Sequence, residues 1–143
     1  MKVHILAVGR LKEAAFRDAE AEYLKRLRGK ATVEVRELKD EPALLAAVPP
    51  RARLILLDEK GALWSSEDFA KVLGDEELRG GGRPVVIAIG GADGWTAAAR
   101  AKTKETFSLG RITLPHRLVR VVIAEQLYRG FSILRGEPYH RGS

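Results

Sequence analysis

Two short runs, 53-RLILLDE-59 and 84-PVVIAIGG-91, are apolar almost without interruption. A strand with one wet face alternates apolar and polar residues, whereas a strand without alternation must be covered on both faces, as in the middle of a parallel sheet. Covering both faces takes helices, and the chain supplies them in alternation with strands. Residues 2–9 (KVHILAVG) read as a buried strand, and residues 12–28 as an amphipathic helix with Phe16, Ala19, Tyr23 and Leu27 on one face. The run 32-TVEVREL-38 alternates, which predicts a strand near a sheet edge. A short helix at 41–48 stops before Pro49 and Pro50, and Ser65 with Asp68 three residues on makes a capping-box start for the next helix. An Ala-rich helix near 96–104, a short strand 111-RITL-114 and a long helix at 116–134 complete the pattern. The expected fold is α/β: one domain over residues 1–143, a parallel sheet with helices on both faces.

In such sheets ligands sit beyond the carboxyl ends of the strands. Three segments there stand out: 57-LDEKG-61, 90-GGADGW-95 and 108-SLGRITLPH-116. The glycines of GGADG allow close backbone approach to a ligand, but the stretch matches no dinucleotide or phosphate-loop pattern and serves equally as a tight strand-to-helix turn. Asp58 can meet a ligand hydroxyl or cap the next segment.

The last predicted helix, HRLVRVVIAEQLYRGFSIL, is apolar around most of its circumference, so it is buried on more than one side, and in a small domain that suggests a partner subunit. Glu125 and Arg129 stand one turn apart on the same face, either as an exposed ion pair or as a desolvated pair kept for a purpose. His116 opens the helix, and Tyr139, His140 and Arg141 lie beyond its far end. Eighteen helical residues span roughly 27 Å, so one chain cannot easily join its own His116 to its own tail; an antiparallel neighbour can supply it.

Composition narrows the chemistry. There is no Cys, and the three His are scattered, which excludes a disulfide framework and argues against structural zinc. The formal charge of +6, carried by 16 Arg against 9 Lys, favours a polyanionic partner. Arg10, Lys12, Arg17 and Arg100 are candidate phosphate contacts. The opening MKVHILAVGRLKE is too short in apolar residues for a signal or membrane segment, so a cytoplasmic location is expected.

The runs IGGADG and SLGRITLPHRLVRVVIAEQLYRG, together with PYHR near the end, resemble the RlmH family of ribosomal RNA methyltransferases, members of the knotted SPOUT superfamily. The resemblance spans the chain. It implies a homodimeric, metal-free enzyme that uses S-adenosylmethionine to methylate N3 of a pseudouridine in the helix 69 loop of 23S rRNA. The substrate is expected on the large subunit or the assembled ribosome. It also implies a C-terminal trefoil knot, which nothing in the periodicity predicts, since threading runs against the general topology rule.

Carried over residue by residue, the family's cofactor contacts fall on Leu57, Gly91, Gly110, Arg111, Ile112, Thr113, Leu114 and Pro115. Gly110 and Arg111 depart from the Ser and small or apolar residue common at those positions. For catalysis the resemblance points to His116, Arg129, Tyr139, His140 and Arg141: Arg129 and Arg141 to stabilise negative charge on the base, His116 or His140 to take the proton, and Tyr139 to pack. Glu125 is expected to orient Arg129. Two other readings remain at this point, a non-catalytic basic ribosome-binding or assembly factor and a SPOUT enzyme acting on tRNA.

Overall fold

The computed structural model describes residues 1–141, with side chains through Tyr139. Five strands and five helices alternate along the chain: β1 (Lys2–Val8), α1 (Ala14–Leu27), β2 (Thr32–Leu38), α2 (Glu41–Ala46), β3 (Arg53–Leu63), α3 (Ser66–Arg79), β4 (Val85–Ile89), α4 (Ala97–Arg100), β5 (Thr106–Ser108) and α5 (His116–Leu134). A short 3-10 turn, Pro138–Arg141, follows. All strand pairs are parallel, in the order β2-β1-β4-β3-β5. The unbroken apolar runs therefore lie inside the sheet, and the alternating TVEVREL forms its edge.

Every residue of β4 is buried, and its side chains divide between two cores. Val85, Ile87 and Ile89 join Leu27 of α1, Phe69 and Leu73 of α3, and Ile123, Leu127 and Phe131 of α5. Val86 and Ala88 face the opposite layer, with Leu44 of α2, Ala99 of α4 and Trp95. The covering is unequal: three long helices on one face, two short ones on the other. The capping box at Ser65 and Asp68 is formed in both directions.

Two expected elements need correction. The segment 111–114 is not a strand; β5 comes earlier, at Thr106–Ser108. Phe107 is fully buried and carries the pairing to β3, while Ile112 is 83% exposed and cannot occupy a sheet interior. Ahead of it, Gly110 at φ 131° breaks the extended run. The Ala-rich helix is also shorter than 96–104. Its C-terminal side is drawn off into β5 by the Thr103 hydroxyl, which donates to the Leu54 carbonyl at 2.8 Å and accepts from the Glu105 amide at 3.0 Å.

The two ends of the sheet differ. At the amino ends of β3, β4 and β5, Arg53 bonds Glu105 at 2.7 Å and Glu76 at 3.1 Å, and Arg83 closes on Glu76 at 2.8 Å. That network ties the bottom shut. At the carboxyl ends the β3–β5 ladder breaks, because Leu57 and Ala62 both pair with Phe107, leaving residues 58–61 bulged out. Gly61 is required there, since a Cβ would lie 2.6 Å from the Phe107 backbone nitrogen. Trp64 stacks on Phe107 with ring centroids 4.5 Å apart, and Phe69 meets both edge-on.

Candidate active site

The bulge opens a cleft between the carboxyl ends of β3 and β5, walled by Leu57, Leu109, Ile112, Leu114 and Val119 and edged by Asp58, Glu59, Ser108, Gly110 and Thr113. The turn at its rim is held by its own hydrogen bonds. The Ser108 hydroxyl donates to the Gly110 carbonyl at 2.8 Å and accepts from the Gly110 amide at 3.1 Å, fixing the glycine at its left-handed φ. Apolar walls with a few backbone polar groups suit a nucleoside with an aliphatic side arm. Ile112 is left largely uncovered by the described residues.

Of the sequence-derived cofactor candidates, Leu57, Gly110, Ile112, Thr113 and Leu114 converge on this cleft; Gly91 and Arg111 are exposed outside its lining, and Pro115 borders a second depression. The GGADG turn still acts on the cleft indirectly. Trp95 at its end is buried and donates its indole N–H to the Leu57 carbonyl at 2.8 Å, fixing β3 where the bulge begins. Glu59, Ser108 and Leu109 also line the cleft and lie within the marked segments; Val119 of α5 is the lining residue outside them, read from the sequence only as an apolar helix position. Asp58 is spoken for: burial raises its pKa, but hydrogen bonds from Arg100 and the Lys60 amide prevail and hold it below the usual carboxylate range. Arg100 is thereby engaged with Asp58, whereas Arg10, Lys12 and Arg17 stand exposed.

His116 lies next to the cleft-lining segment, in the depression shared with Arg10, Leu11, Glu13, Pro115 and Arg117. Its Nε2 is buried with no hydrogen-bond partner among the described residues. Burial, then the positive charge of Arg120, push its pKa below the ordinary 6.5, with Glu37 opposing. The ring is accordingly neutral at physiological pH and its free nitrogen can accept a proton. His4 is depressed too, chiefly by burial. In the window below 6.5 the unfolded chain binds more protons than the folded one, so stability present above that pH is lost as pH falls through the folded values. Urea midpoints should therefore drop from about pH 7 to about pH 5, and less so in His116→Gln; identical drops in both proteins would contradict the burial argument.

Behind His116, Arg120 is 2% exposed and bonds three elements together. Its Nε and Nη2 donate to Glu20 of α1 at 2.9 and 3.2 Å, and its Nη1 donates to Glu37 of β2 at 2.8 Å. The same Glu37 carboxylate accepts the Leu11 amide at 2.7 Å, so the loop after β1 is held to the start of α5.

The other named residues gather in the second half of α5. Arg129 donates to Glu125 at 2.7 Å, the pair being largely shielded, at 19% and 16% side-chain exposure. The Tyr139 hydroxyl donates to the same carboxylate at 2.8 Å, and the Arg129 guanidinium sits 5.0 Å from the Tyr139 ring centre. Glu125 also accepts from Gln126 at 2.8 Å, whose own amide oxygen accepts from the Ser66 hydroxyl at 2.7 Å. Burial, then hydrogen bonding to Glu125 and Tyr23, drive the Tyr139 phenol far above its ordinary pKa, so it remains protonated. The side chains of His140 and Arg141 lie outside the described residues.

The chain thus folds its tail back on its own helix. Arg129 and Tyr139 belong to one cluster, thirteen residues along α5 from His116, about 20 Å at ~1.5 Å per residue. The cleft and the Arg129 cluster lie towards opposite ends of one helix.

No helix among the described residues is long and apolar enough to cross a membrane, and no group of acidic or His side chains among them could hold a metal ion. A family model described as "Predicted SPOUT methyltransferase" matches residues 1–140. Proteins named "Ribosomal RNA large subunit methyltransferase H" align over nearly the whole chain. That of Cereibacter sphaeroides is 44% identical over 156 residues, covering 99% of each chain. That of Anaeromyxobacter sp. is 43% identical over 155 residues, covering 99% of this chain and 100% of its own. That of Chromobacterium violaceum is 41% identical over 157 residues, covering 99% of each.

Proposed function

The chain belongs to the SPOUT methyltransferase family, and on that footing we propose that it methylates N3 of a pseudouridine in the helix 69 loop of 23S rRNA, within the large subunit or assembled ribosome, acting as a cytoplasmic homodimer. The observation that carries this reading is the apolar cleft at the carboxyl ends of β3 and β5, in a chain alike over its whole length to large-subunit rRNA methyltransferases.

S-adenosylmethionine, when bound, supplies an activated methyl group on a sulfonium. The cleft suits it: Leu57, Ile112 and Leu114 offer apolar walls, and the preformed Gly110 turn offers backbone polar groups. Gly91, Arg111, Thr113 and Pro115 complete the cofactor-binding set that the family resemblance assigns. In the same reading the 110–115 segment and α5 form the family's trefoil knot.

The nucleotide's N3–H is a weak acid, and transfer requires its proton to leave while negative charge on the ring is stabilised. His116, neutral and with no hydrogen-bond partner for its Nε2 among the described residues, or His140 would accept that proton during transfer. Arg129, oriented by Glu125, and Arg141 of the tail stabilise the ring's charge. Tyr139, protonated throughout, packs beside Arg129 and cannot be the base.

Arg129 and the tail stand too far from their own cleft to act there. An antiparallel pairing of two α5 helices brings each Arg129 cluster against the partner's cleft, and Leu118 and Leu134, exposed apolar residues near either end of α5, favour such a pairing. Labelled S-adenosylmethionine incubated with large subunits, assembled ribosomes and free rRNA tests the function. Methyl transfer to rRNA in at least one of the particles is expected, and no transfer to any of them would overturn the reading.

A further inference from the structure

All three tyrosines of the chain meet at one place. Tyr23 of α1 lies 6.4 Å from Tyr128 of α5 between ring centres, and Tyr128 lies 4.5 Å from Tyr139 of the tail at an interplanar angle of 68°. The Tyr139 hydroxyl goes on to Glu125 at 2.8 Å. The result is a chain of contacts that begins on α1, by ring packing from Tyr23 through Tyr128 to Tyr139 and from there to Glu125 and Arg129.

The turn after α1 holds the other side of the tail. Lys30 forms an ion pair with Glu137, its carbonyl accepts from Arg135 at 3.3 Å, and its ammonium lies 5.7 Å from the Tyr128 ring centre. Its side chain is only 16% exposed, which places the Glu137 pair above an ordinary surface contact. The reversal it clamps is a helix stop: Gly136 at φ 68° turns the chain, and the Glu137 amide returns to the Ser132 carbonyl at 2.9 Å.

We propose that Tyr23 and Lys30 are positioning residues for methyl transfer, holding the tail against α5 so that Glu125 and Arg129 keep one orientation towards the substrate. The inference rests on the methyltransferase reading above and deepens it. Neither residue lines the cofactor cleft. Both act on the Arg129 cluster some 20 Å away along α5, so their loss should alter the chemical step without altering cofactor binding.

The test uses the full-length protein with Tyr23→Leu, Lys30→Met and Lys30→Arg. Tyr23→Leu removes the ring that backs Tyr128. We expect kcat for methyl transfer to the particle to fall about tenfold in Tyr23→Leu and Lys30→Met, the scale of a modest misplacement. The KM for the particle and the calorimetric affinity for S-adenosylmethionine should stay within about twofold. Hydrogen exchange at the Glu137 amide should quicken in both, and Lys30→Arg should restore both exchange protection and most of kcat.

An active wild type beside variants of unchanged kcat would overturn the positioning role alone, as would a fall in kcat matched by an equal loss of cofactor affinity. A wild type that transfers no methyl group while its Glu137 amide stays protected would overturn the functional reading, and this role with it.

Discussion

Arg129→Ala is expected to lower kcat for methyl transfer by about 10²–10³-fold, the usual cost of removing one preorganised charge-stabilising donor, with S-adenosylmethionine affinity unchanged. The size follows from the pair's shielding: Arg129 is held by Glu125 at 2.7 Å, and that carboxylate is itself fixed by Tyr139 and Gln126. Such a donor need not reorganise when charge develops. The separation between Arg129 and the cleft makes a second outcome specific. Because Arg129 and the tail form one cluster on one subunit, an Arg129→Ala chain and a tail-truncated chain lack the same half-site and should not rescue each other. The complementary partner is a chain with a damaged cleft, such as Gly110→Val, which forces a branched residue into φ 131°. Each homodimer should be inactive, while the heterodimer keeps one intact site of two and should recover about half the activity under two-fold symmetry. No recovery, with heterodimers demonstrated, would refute the shared site.

Arg120→Met should destabilise the fold by about 3–5 kcal/mol, because it leaves a buried carboxylate without its cation. Arg120 is the largest fully buried side chain among the described residues, and Glu20, its bidentate partner, is only 7% exposed. Glu37 is less affected, since about a third of its side chain reaches solvent. Adding Glu20→Gln removes the stranded charge, so the double variant should regain much of the loss. Urea unfolding of both at one protein concentration measures the coupling; a loss under about 1 kcal/mol in the single variant would mean that water reaches the site and the triad is not buried in solution.

The sheet was legible because its interior strands advertise themselves. RLILLDE and PVVIAIGG lack a polar face, and they lie side by side as β3 and β4. Once the sheet was legible, the strand-end rule marked the loops that now line the cleft. The misplaced fifth strand marks the limit of that logic. RITL has the composition of a strand, and TFS has less of it, but Phe107 wins the sheet position through contacts with Trp64 and Phe69 from elsewhere in the chain. The Arg120 triad was hidden for the same reason: its partners are 100 and 83 residues away, and a charged residue at a helical core position looks like an interruption. Within the site, Glu125 with Arg129 was readable from helical spacing. The bond from Tyr139 to that pair was not, because it depends on the turn at Gly136.

The atom that receives the methyl group can be read by mapping the product. Large subunits and ribosomes methylated with labelled cofactor can be digested, and the modified nucleotide located by mass spectrometry. A single N3-methylpseudouridine is expected in the helix 69 loop of 23S rRNA, lost when Arg129→Ala replaces the wild type. A methyl group on another rRNA nucleotide, or on tRNA and not on the large subunit, would contradict the proposed function.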